Sequence, residues 1–213
     1  MVEPSTTPSP RRSELLELAY DYVGRHGLAA LSLRPLAAEI GSSPRVLLFL
    51  FGSKEGLIRE LLARARADEL AMLRRLGTHA SSDAGGREPL PGERLPQPDL
   101  LAVTAEQIWL WLSHPAHRSV LVLWTEAYGQ SLADPAGPWS GFAASTVTDW
   151  LTMLADSQPD AERHTSEGLA RRTAVLAVLR GAMLDLLATG DHTRVTDAVL
   201  QCLHAVTPAR HRG

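Results

Sequence analysis

The sequence has one cysteine, Cys202, in 213 residues, which excludes an internal disulfide framework and any zinc site built on several thiolates. That cysteine stands in the apolar series Val199, Cys202, Leu203 and Val206, where a buried thiol is expected. The sequence also lacks a run of 18 apolar residues, and its opening, MVEPSTTPSPRR, lacks the hydrophobic core of a secretory signal. A cytoplasmic protein with no membrane association is therefore expected. No surplus of positive charge is present either: the net charge is −3, and residues 1–60 hold seven basic and seven acidic side chains. Any contact with a polyanion must then rest on local placement of charge. There is no His-Glu-x-x-His, no glycine-rich phosphate loop, no Glu-x-x-His pair and no serine or cysteine in a nucleophile motif. A non-enzymatic chain with no catalytic residues, no cofactor and no metal is the expectation. His114 and His117 flank Pro115 without an acidic or cysteine partner nearby, which suits a helix start better than a metal.

Aromatics are few outside tryptophan, with three Phe and three Tyr, while Leu, Ala, Arg and Glu dominate. That composition favours helices, and 45% hydrophobic residues suffice for a core. The spacing of apolar residues predicts about nine helices in an all-α fold: Ser13–His26, Leu33–Ile40, a short helix from Pro44 to about Leu50, and a long one from Ser53 to Leu76. Then follow Leu100–Ser113, Ala116–Gln130, Pro138–Ala155, Thr165–Thr189 and Asp191–Val206. The long helix should bury Leu57, Ile58, Leu61, Leu62, Ala65, Leu70, Leu73 and Leu76. Residues 1–12 are expected as a disordered arm, and 77–99, dense in Pro, Gly and Ser, as a flexible linker.

Two helix starts are marked in the first part of the chain. Ser32 precedes Leu33, and because Pro35 has no N–H its hydroxyl is expected to cap the amide of Arg34. Ser43 followed by Pro44 is the stronger signal, a capping hydroxyl ahead of a proline at the first helical position. Two short helices joined around Gly41, behind a longer one, form a helix-turn-helix arrangement. In its second helix Leu47, Leu50 and Phe51 share one face and should pack inward; Pro44, Arg45, Leu48 and Phe49 share the other.

Residues 13–70 resemble the DNA-binding domain of the TetR (tetracycline-repressor-like) family. The pattern is carried by Leu16, Ala19, Gly27, Ser32, Arg34, Leu36, Ala37, Gly41, Ser43, Phe51, Ser53, Lys54, Glu55 and Leu57. Arg180–Asp191 is similar to the family's dimerisation helix and following turn. The resemblance implies an N-terminal helix-turn-helix domain, residues 13–60, followed by a ligand-binding and dimerisation domain, 61–213. It implies a homodimer on double-stranded operator DNA, with Ser32, Arg34, Ser43, Pro44, Arg45, Leu48, Phe49 and Lys54 as the contacting residues. The chain departs from the family at Leu48, Phe49 and Leu50, where a tyrosine, a polar residue and a histidine or tyrosine are usual. A phosphate-binding hydroxyl is lost there, and apolar side chains suited to thymine methyls replace it.

All five tryptophans lie between 109 and 150. Trp109, Trp124, Tyr128, Phe142, Trp150, Met153 and Met183 offer the large apolar walls of a small-molecule site. Trp109 and Trp111, two apart on one helix, must point differently. Gln107, Thr125, Glu126 and Asp149 are expected as solvated or capping groups. Asp185, inside the apolar run 182–187, should pair with an arginine such as Arg180 across a dimer. The chain is thus read as a transcriptional regulator, a repressor released by a small hydrophobic ligand. The alternative is a TetR-like scaffold with weak or lost DNA binding that acts through protein or ligand contacts.

Overall fold

The computed structural model describes residues 9–28, 31–83 and 99–206. Among these are ten α-helices and one 3-10 turn, Pro115–His117. The helices are α1 (Pro10–His26), α2 (Leu33–Glu39), α3 (Pro44–Phe51), α4 (Lys54–Asp83), α5 (Leu100–Leu112), α6 (Arg118–Ala133), α7 (Phe142–Asp156), α8 (Asp160–Arg163), α9 (Ser166–Thr189) and α10 (His192–Val206). The all-α fold expected from the sequence is the fold observed. No helix of the described residues is long and apolar enough to cross a membrane. The chain divides into two compact units, Met1–Ala67 with Ser119–Ala144, and Asp68–Arg118 with Ser145–Gly213.

In the first unit, α1 begins three residues before the expected Ser13. Ser9 is its cap, accepting from the Arg12 amide at 3.3 Å, and Pro10 takes the first helical position. Residues 10–12 are therefore helical and not part of an arm; 1–8 lie outside the described residues. The helix closes at Gly27 (φ +82°, ψ 156°), whose amide donates to the Val23 carbonyl at 2.9 Å. The next amide, Leu28, donates at 2.6 Å to a carboxylate oxygen of Glu126 on α6. Glu126 is thus a long-range acceptor and not the solvated or capping group expected.

Helix α4 continues through Gly77 to Asp83, so the first seven residues of the expected linker are helical; residues 84–98 lie outside the described residues. Leu57, Ile58, Leu61, Leu62 and Ala65 are buried as expected. Beyond Ala65 the buried stripe runs through Glu69 and Met72 in place of Leu70, because a 3.6-residue period from 65 falls near 69 and 72. The side chains of Leu73 and Leu76 lie outside the described residues.

The second unit contains Glu69, 2% exposed. Its two oxygens accept from the Trp150 indole N–H and from the Thr146 hydroxyl (3.4 Å), both on α7. Such donors offset the cost of taking a carboxylate out of water. At the start of α5, Asp99 caps the amides of Leu101 (3.1 Å) and Ala102 (3.4 Å) with one oxygen and binds Arg171 of α9 with the other. Arg171 also reaches Glu162 (3.0 Å) and the Val206 carbonyl (3.2 Å). One guanidinium thereby joins the start of α5, α8, α9 and the end of α10.

Helix α9 ends at Gly190 in the left-handed region (φ +70°), and α10 turns back against it. The turn brings Arg194 onto Asp185 in a two-bond pair of 2.7 and 2.9 Å, and this hydrogen bonding holds the Asp185 carboxyl below the usual aspartate range. Within its own chain Asp185 thus pairs with Arg194 and not with the Arg180 named from the sequence. In α10, Val195, Val199 and Leu203 face inward. That register leaves Cys202 on the outer side, where its thiol is exposed, a correction to the expected burial.

Candidate nucleic-acid interface

The helix-turn-helix is built from local signals. The amides of Ile40 and Ser42 donate to Leu36 (3.0 Å) and Ala37 (2.8 Å) at the end of α2, with Gly41 between them at φ +64°. Helix α3 then starts on Ser43, whose hydroxyl accepts from the Val46 amide at 3.3 Å, with Pro44 at its first position. Ser32 occupies the cap position of α2 but makes no side-chain cap bond. Pro35, at the third helical position, lacks the amide such a hydroxyl commonly takes.

Leu47 and Phe51 turn α3 inward. Arg12 fixes its far end: the side chain donates to the Leu50 carbonyl at 3.3 Å, pairs with Glu60 at 2.8 Å, and lies 5.2 Å from the Phe51 ring centroid. The opposite face is exposed. Phe49, 85% accessible, stands at its centre, flanked by Arg45, with Leu48 (42%) and Val46 (39%) beside them. Val46 belongs to this face although the sequence did not place it there, while Leu50, expected inside, is only half-buried.

Arg34 on α2, Arg45 on α3 and Lys54 at the start of α4 are exposed and form no ion pair among the described residues. Arg25 and His26 differ, since both engage Glu39, His26 at 3.1 Å. Ser32 and Ser43 are exposed and Pro44 half-buried. Arg34, Arg45 and Lys54 are thus among the cations that no carboxylate of the described residues engages. Each can offer its full set of donors to an anion.

The residues expected to meet a ligand fall in both units. Trp124, Tyr128 and Phe142 belong to the first; Trp109, Trp150, Met153 and Met183 belong to the second. Trp109 is 1% exposed and donates its indole N–H to Thr196 of α10 at 3.1 Å. Trp111 points elsewhere and stacks on His117, ring centroids 3.9 Å apart. His114 accepts from the Ala116 amide at 3.2 Å and caps the 3-10 turn, the helix-start role expected of it. Glu69 is the polar group that sequence reasoning passed over; an acidic residue at a core position of an otherwise apolar helical stripe was the available signal.

Residues 15–61 match the family model described as bacterial regulatory proteins, tetR family. Over nearly the whole chain the fold is similar to three solved structures. The multidrug binding protein EbrR complexed with imidazole is 22% identical (TM-score 0.62, all of both chains covered). EbrR complexed with ethidium is 22% identical (TM-score 0.60, 92% of this chain and 99% of that one). The fatty acid degradation regulator FadR from Bacillus halodurans is 13% identical (TM-score 0.57, 97% and 100%). No curated protein matches the chain.

Proposed function

We propose, on the match of residues 15–61 to the family model of tetR bacterial regulatory proteins, a homodimeric repressor that grips operator DNA through α3. A small, mostly apolar ligand bound by the later helices releases it. The observation that carries the reading is the exposed face of α3, with Arg45 near its start and unengaged cations at Arg34 and Lys54 on the adjoining elements. A recognition helix presents its N-terminal residues to base edges, while flanking cations meet phosphates.

Arg45 and Lys54 should then separate in a binding experiment. Arg45→Ala is expected to cost about 1–3 kcal/mol on the cognate site and to blur preference at one base pair. Lys54→Ala is expected to weaken all sequences alike and to flatten the salt dependence by about one unit of slope per half-site. Titration of both variants against cognate and scrambled duplexes at several salt concentrations reads this directly. Full cognate affinity in Arg45→Ala would remove α3 as the reader. The alternative, a scaffold that no longer binds DNA, predicts no gel shift with the DNA upstream of its own gene.

Dimerisation is assigned to α9 and α10, where Leu169 and Leu184 are exposed apolar residues on α9. An interface of at least ~1,200 Å² is expected, and sedimentation of a stable monomer at micromolar concentration would exclude it. For the ligand, Trp109, Trp150, Met153 and Met183 of the second unit are the candidate walls. EbrR, similar in fold, is complexed with ethidium, a flat aromatic compound of the kind that such walls would suit. An effector must loosen the DNA complex in proportion to its preference for the DNA-free state. A tight small-molecule ligand that leaves DNA affinity unchanged would end the sensor reading.

A further inference from the structure

Resting on the assignment of α3 to DNA, we propose that this helix selects its operator through the C5-methyl groups of thymines, with Phe49 as the specificity-determining side chain. Of Arg45, Val46, Leu48 and Phe49, the four exposed side chains of α3 between its first residue and its last turn, only Arg45 can hydrogen-bond a base edge. Phe49 is 85% exposed and lies opposite the inward pair Leu47 and Phe51. A phenyl ring left in water forgoes the burial that makes aromatic side chains valuable in a fold. Its position is better suited to a partner than to the chain's own core.

The chemistry of that partner follows from what surrounds the ring. The exposed cations at Arg34, Arg45 and Lys54, none in an ion pair among the described residues, fit a polyanion and oppose an apolar protein surface. Within the major groove, the thymine methyl is the apolar group that base edges display. Phe49 with Val46, one turn earlier, provides a surface for such methyls, and Arg45 beside them supplies the polar contact, best matched to guanine. The expected half-site therefore pairs a guanine with neighbouring thymines.

The test uses the full-length chain and a pool of random 30-base-pair duplexes. The best-retained duplex is resynthesised with deoxyuridine at every thymine of its half-sites, which removes the methyl group and keeps the pairing. Affinity is expected to fall about fourfold for each methyl group that Phe49 or Val46 would have covered, and by about tenfold or more for the whole site. Phe49→Ala should show the same loss on the thymine duplex and little further loss on the deoxyuridine duplex. Because the ring is exposed, that variant should keep the Tm of the parent, so a loss of binding is not a loss of fold. Equal affinity for the two duplexes, or a selected half-site without thymine, overturns the methyl reading and leaves DNA binding standing. Failure to retain any duplex overturns both. If Phe49→Ala then abolishes self-association in sedimentation, the apolar face belongs to a second copy of the chain.

Discussion

Trp109→Ala is expected to lower stability by about 3–5 kcal/mol, a fall in Tm of roughly 6–20 °C for a chain of this size. Trp109 is a large side chain of the core, 1% exposed, and its indole N–H is donated to Thr196. Truncation removes apolar packing between α5 and α10, leaves a cavity that the surrounding helices fill only in part, and deprives the Thr196 hydroxyl of its donor. Trp109→Phe should recover most of the packing and lose the hydrogen bond. Thr196→Val isolates the polar part, with a cost of about 1–3 kcal/mol for a buried N–H left without an acceptor. Thermal unfolding followed by circular dichroism orders the three. If the two units melt separately, the transition of the second should move. A Trp109→Ala protein within about 1 kcal/mol of the parent would mean that the helices close over the gap.

The second large effect is expected at Gly27. With φ +82° and ψ 156° the residue occupies a backbone region that is essentially confined to glycine. A Cβ added there would also lie 3.1 Å from one oxygen of Glu126, whose other oxygen receives the Leu28 amide. Gly27→Ala thus combines backbone strain with displacement of a carboxylate from its donor. A loss of at least about 3 kcal/mol is expected, or roughly 6–12 °C in Tm. Glu126→Ala removes only the acceptor and should cost less. In the double variant the crowding disappears and the strain stays, so the two losses should fall short of additivity. Full stability in Gly27→Ala would show that the turn relaxes to another conformation.

The elements that could be read from the sequence are those whose boundaries are written locally. Ser43-Pro44 announced α3, because caps and prolines act over three or four residues. Ser9-Pro10 carries the same start signal as Ser43-Pro44, yet the density of Pro, Ser and Thr around it reads as a disordered arm. The inward placement of Leu47 and Phe51 followed from periodicity. Partners far apart in sequence did not: the Glu126 carboxylate meets an amide 98 residues away, and Arg171 meets an aspartate 72 residues away. Pattern reasoning carries no information about such pairs. Asp185 shows the same limit, since the sequence suggested a need for a cation, and the turn at Gly190 decided which arginine supplied it. At α3 the exposed apolar face was legible in Leu48 and Phe49, but Val46 joined it only once the twist of the helix was known.

Lys54 has a practical consequence for anyone handling the protein. The chain holds twenty arginines and this one lysine, so among its side chains an amine-reactive dye, spin label or photo-crosslinker has a single address. That address is an exposed residue at the first turn of α4, separated from the end of α3 by Gly52 and Ser53. A reporter attached there sits on the surface where DNA is expected to bind, without any engineered cysteine and without touching the core, and it replaces the Lys54 charge.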